Sequence, residues 1–337
     1  MKINLISETT FTVQGHGVHT AFIENRDALK NLGIDVQTNS KKPCDIIHVH
    51  TVGPYSLYHV LKNRGKVVIT AHVIPDSFVG SLRCASTWYP LAKKYLHFFY
   101  NQANAIIAVS PEVKRTLRKW GIQKKIYIIP NGVNRELFKR DKKIRQKMRK
   151  KFSFADHEFV VINSGQIQPR KGIETFIKMA KSLPDVKFLW VGGIPFKNLA
   201  QDYKKMKKIE NSAPKNVFFT GTVPFENMPN YYSAADMLFF PSHQETFGFA
   251  IIEAAAAKLP LLMRNLQTFQ LIFGDAFIGG NDTTFKKIIM KLKTNKKFYN
   301  EYSSRAINLA KKFDDKMLAK KIIKVYKEVQ IMNIQKS

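Results

Sequence analysis

The sequence contains little cysteine and no long apolar run. Only Cys44 and Cys84 occur among its 337 residues, and their spacing fits neither a disulfide scaffold nor a zinc site. No stretch approaches the roughly 18 consecutive apolar residues that a membrane-spanning helix needs. The start of the chain, Met1-Lys-Ile-Asn-Leu-Ile-Ser7, is too short and too polar at its ends for a secretory signal and has the pattern of a first strand. These absences predict a cytoplasmic protein.

Acidic residues are scarce relative to basic ones. The chain has 25 Asp and Glu against 55 Lys and Arg, a formal net charge of +30, and the excess is spread along the chain instead of forming a tail. An excess of positive charge attracts polyanions, and the two candidates are nucleic acid and an anionic membrane leaflet. A lysine-rich genome would produce part of the same excess. Charge alone therefore leaves these explanations open.

Two series of strand and helix patterns follow one another along the chain. Short apolar runs bounded by Gly, Pro or polar residues are typical of buried parallel strands. They occur at Ile3–Ile6, Ile34–Gln37, Asp45–His50, Val67–Thr70, Ala105–Val109 and Ile126–Ile129, and then at Phe159–Asn163, Lys187–Val191, Val217–Thr220, Met237–Phe240 and Pro260–Met263. Amphipathic helix patterns lie between them. The sequence thus predicts an α/β protein with two Rossmann-like domains that face a central cleft.

The predicted domain boundaries follow a change in composition. An N-terminal domain over 1–138 is followed by a basic linker over 139–152 and a C-terminal domain over 153–315. A last amphipathic helix over 316–330 is expected to cross back and pack on the N-terminal domain.

Glu245 and Glu253 frame a turn at a predicted strand–helix junction. The strand-like run 237–241 precedes them, and the segment after Gly248 has the pattern of a buried helix. Free N–H groups at a helix N-terminus point into the crevice at the end of a parallel strand, so such a junction suits an anionic ligand. Carboxylates there can accept hydrogen bonds from sugar and ribose hydroxyls. The candidate ligand-binding residues of this turn are Glu245, Thr246, Phe247, Gly248 and Glu253.

A second candidate loop is Gly165-Gln-Ile-Gln-Pro-Arg-Lys-Gly172, between the first predicted strand of the C-terminal domain and its helix. The cations of Arg170 and Lys171, next to a helix start, suit a diphosphate. An ordinary loop with two solvated cations has the same composition, but the position at the mouth of the domain favours the diphosphate site.

The N-terminal domain has its own candidates at the ends of predicted strands. Gly15 and Gly17 follow the first strand and allow a ligand to approach the backbone closely, although a simple turn needs glycine as well. His72 follows the strand over 67–70. A lone histidine is more often structural, but this one is expected to face the cleft. Of His48 and His50, at least one is expected to be a structural strand end.

The segment Ser86–Asn101 predicts an amphipathic helix. Its aromatic residues Trp88, Tyr95, Phe98 and Phe99 lie opposite Lys93 and Lys94 on a helical wheel that also puts Tyr100 on the lysine side. Aromatic residues opposite lysines suit a helix in a lipid headgroup layer. A helix that packs on the core and has one solvent-exposed side explains the same pattern equally well.

Taken together, these motifs resemble the retaining glycosyltransferases of family 4, which have the GT-B fold. The E-x7-E spacing of Glu245 and Glu253 is similar to the signature of that family. The loop 165–172 resembles its donor loop, with Gln166 where an Arg is usual. Further landmarks are Ile-Pro-Asn-Gly-Val133, Trp190-Val-Gly-Gly193 and Tyr231-Tyr-Ser-Ala-Ala-Asp236.

More narrowly, His-Val-His-Thr-Val-Gly-Pro54 and Thr-Ala-His-Val-Ile-Pro-Asp-Ser77 are similar to the bacterial glycolipid synthases that add an α-hexose to diacylglycerol or monohexosyldiacylglycerol. The segment that starts at Arg264 departs from the Gly-rich loop usual in the family. No Asp-x-Asp motif occurs, which argues against the metal-dependent glycosyltransferase fold.

The resemblance implies a retaining hexosyltransferase that needs no metal or other cofactor. It would move glucose or galactose from a UDP-sugar to diacylglycerol or monohexosyldiacylglycerol and form an α-glycolipid. Glu253 would bind the ribose, and Glu245 and His72 would act at the donor sugar, while Arg170 and Lys171 hold the diphosphate. The expected partners are a nucleotide sugar, a lipid acceptor and anionic membrane lipids, with the protein peripheral on the cytoplasmic face of the cell membrane.

Two other functions remain open at this point. One keeps the chemistry but uses a soluble sugar, a polyprenyl-linked glycan or a protein as acceptor. The other is a nucleic-acid-binding protein, which the charge favours. The sequence contains no recognition-helix module, zinc finger or RNA-binding aromatic motif, so nucleic acid is not the expected partner.

Overall fold

The computed structural model describes residues 1–12, 17–74, 85–194 and 203–335, and of residues 85–89 it describes only the backbone. Within these ranges the chain divides into two compact units. Unit 1 contains residues 1–12, 17–74, 85–132 and 313–335, and unit 2 contains residues 133–194 and 203–312.

Each unit is built on a parallel sheet of six strands in its described part. In unit 1 the strands are β1 (Lys2–Ile6), β2 (Asp35–Thr38), β3 (Ile46–Val49), β4 (Val67–Ala71), β5 (Ala105–Ala108) and β6 (Lys125–Ile128). In unit 2 they are β7 (Phe159–Ser164), β8 (Val186–Val191), β9 (Val217–Phe219), β10 (Met237–Phe240), β11 (Leu261–Arg264) and β12 (Ile278–Gly280). The strand orders are β2-β1-β3-β4-β5-β6 and β12-β11-β10-β7-β8-β9. The predicted α/β class is confirmed.

Helices connect the strands. They are α1 (Gly17–Asn31), α2 (Pro54–Lys62), α3 (Ala85–Asn101), α4 (Pro111–Lys119), α5 (Lys142–Lys151), α6 (Ile173–Ser182), α7 (Tyr203–Asn211), α8 (Met228–Ala234), α9 (Phe249–Ala256), α10 (Gln267–Phe273), α11 (Phe285–Thr294), α12 (Lys296–Lys312) and α13 (Asp315–Ile334). In the described part of the chain, no helix has both the length and the apolar content that crossing a bilayer requires.

The central strands are buried because each sheet has helices packed on it. Every residue of β3, β4 and β5 is buried, which explains why these strands are continuous apolar runs in the sequence. In unit 2, Phe176 of α6 meets the rings of Phe188 and Trp190 edge to face, with centroids 5.2 and 5.1 Å away.

The C-terminal helix α13 belongs to unit 1. Its start is capped by Asp314, whose carboxylate accepts a hydrogen bond from the N–H of Met317 at 3.2 Å. The apolar side of the helix, which includes Leu318, Ile322 and Val329, is buried. One polar group on the helix, the Tyr326 hydroxyl, reaches His48 of β3 at 2.6 Å.

The basic segment 139–152 is not the linker that we predicted. Residues 142–151 form α5, which is part of unit 2. Arg149 is 1% exposed, and its guanidinium lies 2.6 Å from the Asp236 carboxylate. Arg140 and Arg145 also pair with Asp236 and donate to the carbonyls at the end of α8. These three cations thus stabilise the fold, because they satisfy carbonyl groups that the helix end leaves without partners.

Candidate active site

The order of strands in unit 2 reverses between β7 and β10. From β7 the chain adds β8 and β9 on one side, and it then returns to add β10, β11 and β12 on the other side. Loops that leave two neighbouring strands at such a point diverge, and open α/β sheets bind ligands in the crevice between them. The loops after β7 and β10 are the two that carry the predicted motifs. The fold therefore brings together motifs whose charged residues are 74 positions apart.

The two loops pack against each other closely. The N–H of His243 donates to the carbonyl of Arg170 at 2.8 Å. Gly172 has φ 76°, and a Cβ atom there would lie 2.4 Å from the carbonyl oxygen of Pro241. Only glycine combines this left-handed backbone with so close an approach. Gly172 therefore sets the spacing of the two loops just before α6 begins.

Lys171 and Glu245 form an ion pair across the two loops. The side chains are 14% and 6% exposed, so the pair is largely shielded from water. Burial lowers the pKa of Lys171, and the neighbouring carboxylate only partly opposes that effect. The ammonium group also lies 5.7 Å from the centre of the Phe240 ring. Both residues were predicted as site residues from the sequence, but their pairing with each other was not.

Glu253 lies on α9 and is 4% exposed. Its Oε2 accepts a hydrogen bond from the Tyr232 hydroxyl at 2.7 Å, and that hydroxyl lies 2.6 Å from the Ser164 hydroxyl. Burial raises the pKa of Glu253 to about 7, although the Tyr232 hydrogen bond opposes the shift. From the sequence we had expected this carboxylate at a strand–helix junction that opens to the crevice. The structure shows instead a buried carboxyl group that connects α9 to α8 and β7.

Arg264 was not among the site residues predicted from the sequence. It ends β11, is 15% exposed and pairs with Asp282 at 2.7 Å. Its other contacts are the hydroxyl of Thr175 in α6, at 3.2 Å, and the carbonyl of Pro241, at 3.1 Å. The side chain therefore adds a fixed cation near the start of α6. Its position at the carboxyl end of a predicted strand is the signal that could have identified it.

The remaining predicted residues of unit 2 differ in burial. Gln166, Arg170 and Thr246 are half-buried and line the two loops. Gly248 has φ 90° and directly precedes α9. Phe247 is buried, and its ring packs edge to face on Phe249 at 5.9 Å, so it supports the loop from inside. Cations, carboxylates and the start of α6 together suit an anionic ligand that carries hydroxyl groups.

In unit 1 the strand order reverses between β1 and β3. Gly15 of the loop after β1 lies outside the described residues, and Gly17 is the exposed first residue of α1. His50 and His72 directly follow β3 and β4, and the nitrogens Nδ1 of His50 and Nε2 of His72 are 3.2 Å apart. Among the described residues, no group of three or more His, Cys, Asp or Glu is arranged to hold a metal ion.

The buried side of α3 differs from the predicted one. Phe99 and Tyr100 are fully buried, and the Tyr100 hydroxyl donates to the carbonyl of Val73 at 2.6 Å. The helical wheel had put Tyr100 on the lysine side, but its ring packs edge to face on Phe99, with centroids 6.0 Å apart. Tyr95 is half-buried and donates to the carbonyl of Val52 at 2.6 Å. In this structure Phe99 is therefore a core residue and not a surface aromatic residue.

The other side of α3 is exposed and mixes apolar and basic side chains. Leu91 is 71% exposed and Phe98 is 47% exposed. Lys93 and Lys94 are exposed beside them. Because Leu91 and Phe98 are seven residues apart, they lie on one side of the helix. The side chain of Trp88 lies outside the described residues.

Two family models match the chain. The model for glycosyl transferases group 1 covers residues 144–309, and the model for glycosyltransferase family 4 covers residues 18–137. Among curated proteins, the α-galactosylglucosyldiacylglycerol synthase of Streptococcus pneumoniae is 30% identical over 94% of this chain and 87% of its own length. The processive diacylglycerol α-glucosyltransferase of Acholeplasma laidlawii is 28% identical over 87% of this chain and 88% of its own length.

Solved structures share the fold over nearly the whole chain. Sucrose-phosphate synthase from Thermosynechococcus elongatus superposes with a TM-score of 0.80 at 18% identity, covering 97% of this chain and 98% of that one. Anabaena HepE in complex with UDP-glucose gives a TM-score of 0.77 at 19% identity, covering 97% and 100%. At these identities the likeness concerns the fold alone, and it confirms the predicted GT-B class.

Proposed function

Because the chain belongs to family 4 of the GT-B glycosyltransferases, we propose that it transfers glucose or galactose from a UDP-sugar to diacylglycerol or monohexosyldiacylglycerol. The similarity to synthases and glucosyltransferases of diacylglycerol lipids, over most of both chains, supports this acceptor class. The observation that carries the proposal is the meeting of Lys171 and Glu245 at the point where the strand order of unit 2 reverses.

The donor diphosphate is held by positive charge. Arg170 and Lys171 supply cations, Arg264 adds a third, and the start of α6 supplies backbone N–H groups. Negative charge grows on the leaving UDP as the bond to the sugar breaks, and preorganised donors contribute most at that stage. With these groups in place the transfer proceeds without a divalent metal.

The carboxyl groups of unit 2 bind hydroxyls. Glu245 accepts hydrogen bonds from the hexose when Lys171 turns to the diphosphate. Glu253 takes the ribose through Oε1, because Tyr232 already occupies Oε2. His72 of unit 1 contacts the hexose in the transition state. The sugar departs and is attacked on the same face, so its α configuration is retained.

One assay tests the reaction. Purified protein is incubated with labelled UDP-glucose or UDP-galactose and with diacylglycerol or monohexosyldiacylglycerol in mixed micelles, in the presence and absence of EDTA. We expect an α-linked glycolipid in both conditions. Transfer to a soluble sugar in a parallel incubation, with none to either lipid, would favour the alternative acceptor class. Activity lost in EDTA and restored by magnesium or manganese would contradict the role of the cations.

Two variants test the site within the same assay. Glu245→Gln should lower kcat, because an amide keeps the shape but loses the charge that strengthens hydrogen bonds from the sugar. Lys171→Met should raise the KM for the donor. Lys204→Met, which removes an exposed lysine of α7, is the matched control and should change neither constant. Normal kinetics in both site variants would reject the assignment.

We further propose that the exposed side of α3 docks the enzyme on the cytoplasmic membrane surface. Leu91 and Phe98 would enter the headgroup layer while Lys93 and Lys94 meet anionic lipids. Vesicle binding should then fall at high salt, because such attraction fades within a Debye length of about 8–10 Å.

The matched test compares two exposed apolar surfaces of unit 1. The double variant Leu91→Ser with Phe98→Ser should lose affinity for vesicles that contain phosphatidylglycerol, with the fold unchanged. Ile331→Ser removes an exposed residue of α13 and should bind as the wild type does. Phe99 is left intact because its loss would damage the core. Unchanged vesicle binding in a folded double variant would reject the docking surface.

A further inference from the structure

Three buried histidines lie side by side at the ends of β3 and β4 in unit 1. His48 and His50 have ring centroids 4.3 Å apart, and His50 stacks on His72 with centroids 5.4 Å apart and an angle of 21° between the planes. The exposed fractions are 0%, 1% and 9%. Only His72 has a part in the proposed function, so the other two rings need an explanation.

His48 is explained by its own hydrogen bonds. Its Nδ1 lies 2.6 Å from the hydroxyl of Tyr326, and its Nε2 lies 2.6 Å from the hydroxyl of Thr70. Each hydroxyl can donate or accept, so a neutral ring is satisfied at both nitrogens. Burial lowers the pKa of His48 to about 3. His48 is therefore the structural histidine that ties α13 and β4 to β3.

His50 has a different pattern. Its Nδ1 faces Nε2 of His72 at 3.2 Å, while its own Nε2 is buried and has no hydrogen-bond partner among the described residues. A neutral imidazole carries its proton on one nitrogen only. If the proton were on Nε2, a buried donor would have no acceptor, and such orphaned donors are rarer in proteins than unsatisfied acceptors. The proton of His50 therefore belongs on Nδ1, where it is donated to Nε2 of His72.

This donation decides the state of the neighbouring ring. Nε2 of His72 must accept, so a neutral His72 carries its proton on Nδ1. A charged His72 would put a second proton on Nε2, facing the N–H of His50, and His50 would then have to move its own proton to the unpartnered nitrogen. Burial also opposes charge on His50, whose pKa it lowers. The pair is thus stable with both rings neutral.

We infer that His50 is a positioning residue that holds His72 neutral, with its proton on Nδ1 and its ring stacked in one orientation. The inference rests on the proposed function, in which His72 contacts the donor hexose. In that setting His50 keeps the His72 ring, which meets the sugar, in one tautomer and one orientation.

The first test measures the tautomer directly in the full-length wild-type protein. Imidazole 15N chemical shifts, with His72 assigned from the spectrum of His72→Gln, report which nitrogen carries the proton. We expect the proton of His72 on Nδ1 and that of His50 also on Nδ1. A proton on Nε2 of His72 would overturn the inference, whatever the enzyme transfers.

The second test separates the hydrogen bond from the stacking. His50→Phe keeps a ring between Phe22 and His72 but removes the donor, and kcat should fall roughly tenfold with the donor KM little changed, since the loss of one buried partner has about that effect. His50→Asn has an amide near the position of Nδ1 and should recover part of kcat. His59→Gln, in α2, is the control and should leave kcat unchanged.

The outcomes separate a failure of this inference about His50 from a failure of the proposed function. Unfolding midpoints within error of the wild type, together with the kcat loss in His50→Phe and its recovery in His50→Asn, would support positioning, because a purely structural role would change stability and not kcat. A folded His50→Phe enzyme with normal kcat would overturn it. If His72→Gln itself had normal kcat, the role of His72 in the proposed function would be the part that fails.

Discussion

The replacement Glu253→Gln should make unit 2 less sensitive to pH. The pKa of Glu253 rises from an ordinary 4.5 to about 7 in the folded chain. Below pH 4.5 the carboxyl group is protonated whether the chain is folded or not. Between pH 4.5 and 7 only the unfolded chain loses the proton, so stability falls as pH rises, and above pH 7 the loss is complete. A shift of this size corresponds to about 3 kcal/mol.

Glutamine removes this loss because it does not titrate and can still accept the hydrogen bond from Tyr232. The free energy of unfolding is measured in urea from pH 4 to pH 9 for the wild type and the variant. The variant should gain stability relative to the wild type by about 3 kcal/mol between these limits. Parallel curves for the two proteins, with no divergence between pH 4.5 and 8, would refute a buried, uncharged Glu253.

Two more predictions concern contacts that stabilise each unit. Gly172→Ala should lower the free energy of unfolding by roughly 1 kcal/mol or more beyond the effect of Gly221→Ala. Both glycines have positive φ, but only at Gly172 would a Cβ meet the carbonyl of Pro241. Equal unfolding midpoints for the two variants would show that the loops can separate freely. Tyr326→Phe should destabilise unit 1 by about 1–3 kcal/mol, because it leaves Nδ1 of His48 buried without its partner. If the variant unfolded at the same temperature as the wild type, that result would contradict the hydrogen bond.

Much of the fold could be predicted from the sequence, because the signals are local. Buried parallel strands such as β3 and β10 are continuous apolar runs, and the helices between them have an apolar side of helical period, so their order along the chain determines the α/β class. The two loops of the candidate site could be located in the sequence for the same reason. Parallel strands place their carboxyl ends at one edge of the sheet, and Lys171 and Glu245 both follow such strands.

The tertiary structure decided which partner each polar side chain has. The basic run 139–152 has the composition of a solvated linker, and only the position of Asp236 makes Arg149 a buried structural cation. The Glu253 carboxyl group is held by Tyr232, 21 positions away, and His48 is held by Tyr326, 278 positions away.

These pairings depend on which elements pack together in three dimensions, and no local pattern encodes that. Burial then determines the charge states, because removing a group from water raises the pKa of a carboxyl and lowers that of an imidazole. The residue types of the site were therefore present in the sequence, whereas their protonation and hydrogen bonds depend on the folded chain.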